Sequence, residues 1–212
     1  MENIEKLHIL YEVFKERIEL RINEFKKMRS NSDESAVLKE FIFCLLTPQS
    51  KAKICWKSVE KIFENNLHIG KNADLLREKL SGVRFPNNKS KYLIYNLEKI
   101  EEERISLKDF VQDAMDSFSK REILIKKFKG MGMKEASHFL RNTGHLDLAI
   151  LDRHILKNMV NLGILNEIPS SISKNTYVSL ERKLKDFSEK IGIPFAHLDM
   201  LLWAKETGEV FK

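Results

Sequence analysis

Lys134 and Asp152 are the residues whose type and setting point most directly to chemistry. Lys134 stands in Phe128-Lys-Gly-Met-Gly-Met-Lys-Glu-Ala-Ser-His138, just where an amphipathic helix begins. A cation in the first turn of a helix is electrostatically misplaced, because it adds charge to the positive end of the helix dipole. Lysine is also the side chain whose neutral amine attacks electrophilic carbon and forms Schiff bases. On charge placement alone, a solvated lysine tolerated at small cost remains open. Asp152 follows 18 residues later, in Leu148-Ala-Ile-Leu-Asp-Arg-His-Ile-Leu156. The apolar run delivers it to the start of a helix, where aspartate is a good N-cap. Capping holds the carboxylate rigidly, which suits a group that stabilises a developing positive charge.

Gly130 and Gly132 bracket the single apolar residue Met131. Glycine permits a tight reversal and close approach of a partner to the backbone. The N–H groups opening the next helix lack intrahelical partners and lie at its positive end, a suitable seat for a phosphate oxygen. The pattern reads as a helix-hairpin-helix that grips a DNA backbone without reading its sequence. A helix end followed by an ordinary turn is the alternative.

Helices must position these groups. Ile4, Leu7, Leu10, Tyr11, Phe14, Ile18, Ile22, Phe25 and Met28 repeat at three- and four-residue steps and predict one long amphipathic helix. Further helices are expected at about 35–46, 50–64, 90–102, 107–117, 120–128, 134–142, 152–163, 173–191 and 194–206, with 81–89 as a loop. Only 8 glycines and 4 prolines occur in 212 residues, which argues against a sandwich or barrel. The fold class is all-α. A hydrophobic share of 42% excludes disorder. No apolar run approaches the roughly 18 residues of a membrane span, and no signal-peptide pattern opens the chain. Two cysteines, Cys44 and Cys55, make neither a disulfide framework nor a metal site, so a reducing, cytoplasmic setting is expected. The net charge of +6 permits a nucleic-acid partner without demanding one.

The hairpin, Lys134 and the Leu-Asp-Arg-His-Ile run resemble the helix-hairpin-helix DNA glycosylase superfamily. A lysine at this hairpin position marks its bifunctional glycosylase/lyase members. The chain is most similar to the second, mainly archaeal family of 8-oxoguanine DNA glycosylases. Their Lys-Glu-Ala-Ser-His-Phe-Leu-Arg-Asn-Thr-Gly pattern stands at 134–144 and their Leu-Ala-Ile-Leu-Asp at 148–152. The likeness runs along essentially the whole chain, including its terminal lysine. Ala149 and Ile150 replace the Gly/Pro pair of the wider superfamily, and no cysteine follows Cys55 to build the iron–sulfur site of the endonuclease III branch.

The resemblance implies two helical lobes, 33–145 and 1–32 plus 146–212, with the active site in the cleft between them. It implies a bifunctional repair enzyme acting on double-stranded DNA that carries 8-oxoguanine or an abasic site. Lys134 would attack the anomeric carbon. Asp152 would stabilise the cationic transition state and help deprotonate Lys134. The Schiff base would then permit strand cleavage by β-elimination. The lesion must first be flipped out of the duplex. Phe85 and Trp203 match an aromatic sandwich for that base, and the terminal carboxylate of Lys212 matches an acceptor for guanine N–H groups. Gln49 resembles a residue inserted into the space the base leaves, while Gly130 and Gly132 would hold the backbone. Arg84, Lys89 and Lys91 are candidates for phosphates, His154 is structural or phosphate-facing, and His138 reads as core. Neither a metal nor an organic cofactor is required, and a monomer is expected. Two alternatives stay open: a bifunctional glycosylase for another oxidised base, and a non-catalytic hairpin module that only binds DNA.

Overall fold

The structure, a computed structural model, describes residues 2–212. Among these residues it contains twelve helices and no strand. In chain order they are α1 (Glu2–Asn31), α2 (Glu34–Leu46), α3 (Ala52–Glu64), α4 (Leu67–Gly70), α5 (Ala73–Lys79) and α6 (Pro86–Glu102). Then follow α7 (Leu107–Gln112), α8 (Ser117–Lys127), α9 (Met133–Asn142), α10 (Arg153–Asn161), α11 (Lys174–Ile191) and α12 (Phe195–Thr207). No described helix is long and apolar enough to cross a membrane.

The boundaries follow local chemistry. On α1, Leu7, Tyr11, Phe14, Ile18, Ile22 and Phe25 are buried along one stripe, as their spacing predicts. Asp33 opens α2 by accepting from the Ala36 N–H at 2.7 Å, and 40–46 is buried without a gap. Two expected boundaries moved. α6 begins at Pro86 rather than near 90, because proline's fixed φ and missing N–H suit a first helical position. The expected helix over 107–117 stops at Gln112, and Asp116 restarts the chain as α8 by accepting from the Ser119 N–H at 2.9 Å.

The apolar interior falls into two clusters. One gathers side chains from α2 to α9, from Val37 to Leu148. The other gathers α1 and α10 to α12 with Ala149 and Leu151. The chain therefore passes from one core to the other between Leu148 and Ala149, in irregular backbone. Extended backbone without a sheet neighbour must satisfy its N–H groups elsewhere. Three buried side chains do so in succession. Glu181 accepts from Ala149 N at 2.8 Å, Asp199 from Ile150 N at 3.1 Å, and the Tyr177 hydroxyl from Leu151 N at 3.1 Å.

Both carboxylates also join the two cores. Arg121 of α8 donates to the two oxygens of Glu181 at 2.8 and 3.0 Å. Arg141 of α9 donates to Asp199 of α12 at 2.7 Å. All four side chains are buried. Such pairs contribute little net stability against an apolar replacement, but losing one partner costs about 3–5 kcal/mol. Their effect is positional: they fix the crossing that ends at Asp152.

Candidate active site

A cleft of about 1100 Å³ runs between the two cores. Lys134, Asp152, Trp203, Lys212 and Gln49 all line it.

The α8–α9 hairpin places Lys134. Asn96, fully buried on α6, clamps the turn by donating to Lys129 O and accepting from Lys129 N, both at 2.9 Å. Gly130 follows with φ +81°, and a Cβ there would stand 2.9 Å from a ring carbon of Tyr92. Only glycine fits both the angle and the space. Met131 is buried in the first core. Gly132 is the N-cap of α9 and has no side chain to cap it, so the first amides of α9 keep their capacity for an anion. Both glycines belong to the hairpin rather than to the cleft wall. Lys134 is partly buried, with its ammonium 3.6 Å from the Glu135 carboxylate.

Asp152 opens α10. Its Oδ1 accepts from His154 N at 2.8 Å and Ile155 N at 2.9 Å. Both capping bonds use the same oxygen, so Oδ2 lies outside the cap.

The Gln49 loop is held from below. Gln49 is exposed and has φ +55°, a conformation that persists in a non-glycine residue only when its surroundings impose it. Lys89 imposes it. Its buried ammonium donates to Leu46 O at 2.7 Å, Pro48 O at 2.8 Å and Ser50 Oγ at 3.1 Å. Ser50 Oγ in turn accepts from Arg84 N at 2.9 Å. Burial is the main cause that lowers the Lys89 pKa to about 8, and the Lys134 charge acts in the same direction. The expectation that Lys89 meets phosphate is thereby corrected: its donors are spent inside the protein. Arg84 does line the cleft.

The C-terminal tail crosses back to the first core. Glu209 pairs with Lys53 of α3 at 2.6 Å, and Phe211 sets its ring against Phe43. The Lys212 ammonium bonds the buried Glu40 carboxylate and lies 3.4 Å from the Trp56 ring centre. Glu40 also accepts from Asn142 Nδ2 at 2.9 Å, and Arg141 donates to Asn142 Oδ1 at 3.1 and 3.2 Å. A continuous buried network therefore links Lys212 through Glu40, Asn142, Arg141 and Asp199 to the backbone two residues before Asp152.

The family relationship follows from comparison with known proteins. Residues 18–193 match the family model described as 8-oxoguanine DNA glycosylase. The 8-oxoguanine DNA glycosylase/AP lyase of Fusobacterium nucleatum is 40% identical, over 100% of this chain and 98% of that protein. The chain belongs to the 8-oxoguanine DNA glycosylase family. The Thermotoga maritima glycosylase structure superposes with a TM-score of 0.88 at 35% identity, over 100% of this chain and 99% of that one. The Methanocaldococcus jannaschii glycosylase/lyase, solved with a 15mer DNA containing 8-oxoguanine, gives 0.89 at 33% identity over 100% of both chains.

Within this 8-oxoguanine DNA glycosylase family member, two sequence-derived expectations look different in place. Phe85 is 51% exposed and does not line the cleft. It precedes Pro86 with φ +57°, and the Arg84 guanidinium lies 5.7 Å from its ring centre. Trp203, by contrast, is a partly buried part of the wall. His138 is buried as expected of core, yet it also lines the cleft. Lys134, His138 and Arg141 follow at four- and three-residue steps and share one face of α9, but that spacing alone does not show that the face opens on a cleft.

Proposed function

We propose that this chain excises 8-oxoguanine from duplex DNA and then cleaves the abasic site it has made. One observation carries the reading: Lys134, at the mouth of the hairpin, and Asp152, on a rigid cap, open on one cleft in a member of this family. The uncharged Lys134 amine attacks C1′ of the extruded nucleotide. The C1′–N9 bond breaks, its electrons leave with the base, and the base takes up a proton. Asp152 stabilises the positive charge that develops on the sugar and accepts the proton that Lys134 gives up. Opening of the sugar ring yields the Schiff base. Loss of a C2′ proton then expels the 3′ phosphate, and water later releases the enzyme.

Apart from Phe85 and Lys89, the roles expected from the resemblance are kept in this reading. Trp203 and Lys212 bear on the base, Gln49 on the gap left in the duplex, and Gly130 and Gly132 on the backbone. Phe85, exposed at the start of α6, would meet DNA rather than a base deep in the cleft. We read 33–145 and 1–32 plus 146–212 as the two lobes, and the working form as a monomer on cytoplasmic DNA. Cys44 and Cys55 are free and buried, in keeping with that setting. No metal or organic cofactor enters the scheme.

The test is release of free base from duplexes carrying 8-oxoguanine, an oxidised pyrimidine or undamaged guanine. The reading expects 8-oxoguanine release to exceed both others by at least about a hundredfold, as a site built on hydrogen bonds can achieve. Preferential release of the oxidised pyrimidine would reassign the lesion.

A further inference from the structure

His138 has an unusual environment. Its side chain is 6% exposed, yet neither ring nitrogen has a hydrogen-bond partner. Among the described residues it is the one side chain with two such buried, unpaired atoms. Buried polar atoms are nearly always paired, so an unpaired set facing a cleft points to a partner that arrives from outside. The ring is also held. Phe43 meets it edge-on at 5.4 Å between centroids, and it lines the same cleft as Lys134 and Asp152.

We propose that His138 reads the extruded base, donating its ring N–H to the C6 carbonyl of a guanine-type purine. The proposal rests on the glycosylase reading above. Three features support this assignment. Burial, reinforced by the Arg141 and Lys134 charges, keeps the ring neutral, with one N–H and one lone pair. The Lys212 backbone lies against the ring without completing a well-formed bond, and its oxygen can only accept. A donor beside an acceptor matches O6 beside N1–H on guanine and mismatches the amino group beside N1 on adenine. The spacing also fits. His138 is four residues beyond Lys134, about 6 Å along the helix. An amine engaging C1′ from α9 would leave the far edge of the purine near the next turn.

The experiment measures single-turnover rates on duplexes carrying 8-oxoguanine, 8-oxoadenine or an abasic site. His138→Leu and His138→Phe remove the N–H with different shapes, and His138→Gln restores one. Both apolar variants are expected to lose 8-oxoguanine excision by about 10- to 100-fold. Abasic-site cleavage, which has no base to hold, stays within about threefold and reports folding. The preference for 8-oxoguanine over 8-oxoadenine narrows by about tenfold, and His138→Gln recovers part of both losses. Three results overturn the proposal: unchanged excision in an apolar variant, an equal fall in abasic-site cleavage, or no recovery with glutamine. Failure of the wild type to release 8-oxoguanine would instead strike the glycosylase reading, so the two failures are separable.

Discussion

The cap that Asp152 provides and the catalytic duty proposed for its carboxylate can be separated by substitution. Asparagine caps helices about as well as aspartate but carries no charge. Asp152→Asn should therefore keep the melting temperature close to wild type while lowering excision by at least about a hundredfold. Asp152→Ala should lose the same activity and a further ~1 kcal/mol of stability. Thermal melts beside single-turnover rates check both, and an Asn variant that keeps its activity would make the carboxylate structural only. The places of this residue and of Lys134 were legible in the sequence because each signal is local: a capping position after an apolar run, and a cation at the wrong end of a helix. Lys89 and His138 were not legible in the same way. Their settings depend on what tertiary packing buries them against, namely three acceptors between Leu46 and Ser50 for one, and an open cleft for the other.

Helices α8 and α9 present Lys134 on one side, while the irregular crossing brings Asp152 to the other. Arg121, Glu181, Arg141 and Asp199 hold the two together. Arg121→Met leaves the Glu181 charge buried and unpaired, so a loss of about 3–5 kcal/mol is expected by chemical denaturation. Adding Glu181→Gln removes that charge while keeping an oxygen for Ala149 N, and should restore part of the loss. Adding Glu181→Leu instead should restore less, because it orphans that N–H. Equal stability of the two double variants would remove the crossing from the account. The tail is a second such element. Glu40→Gln deprives the Lys212 ammonium of its buried anion and should slow 8-oxoguanine excision at least about fivefold more than abasic-site cleavage. Parallel assays of both substrates decide this. The sequence indicated that the tail matters by resemblance alone. The Lys212–Glu40 contact that helps seat it joins residues 172 positions apart.

At the scale of the whole molecule, stability also depends on a buried side chain that stays uncharged. His145 is buried between α7 and α8, near Arg29 of α1. It shares hydrogen bonds with Ser117 Oγ at 3.2 Å and Val111 O at 3.0 Å. Burial is the chief cause that lowers its pKa from 6.5 to about 4, with the Lys120 and Arg29 charges adding to it. Below pH 6.5 the unfolded chain takes up a proton that the folded chain refuses, so stability falls with pH until about pH 4. The contribution at stake is about 3 kcal/mol at most. Denaturation at a series of pH values should show that decline, and His145→Gln should flatten part of it. A variant as acid-sensitive as wild type would place the effect elsewhere. The helical class and the long α1 stripe were readable from periodicity and scarce glycine. The break at 113–116 and the early start of α6 were less so, because a capping aspartate and a first-turn proline shift boundaries without altering the apolar rhythm.

The central claim is that Lys134 is the nucleophile in lesion excision. Borohydride trapping on a duplex with a single 8-oxoguanine tests it most directly, with abasic and undamaged duplexes alongside. The wild type should form a covalent adduct with the 8-oxoguanine and abasic duplexes and none with undamaged DNA, and Lys134→Gln should form none at all. An adduct that survives in Lys134→Gln would contradict the assignment.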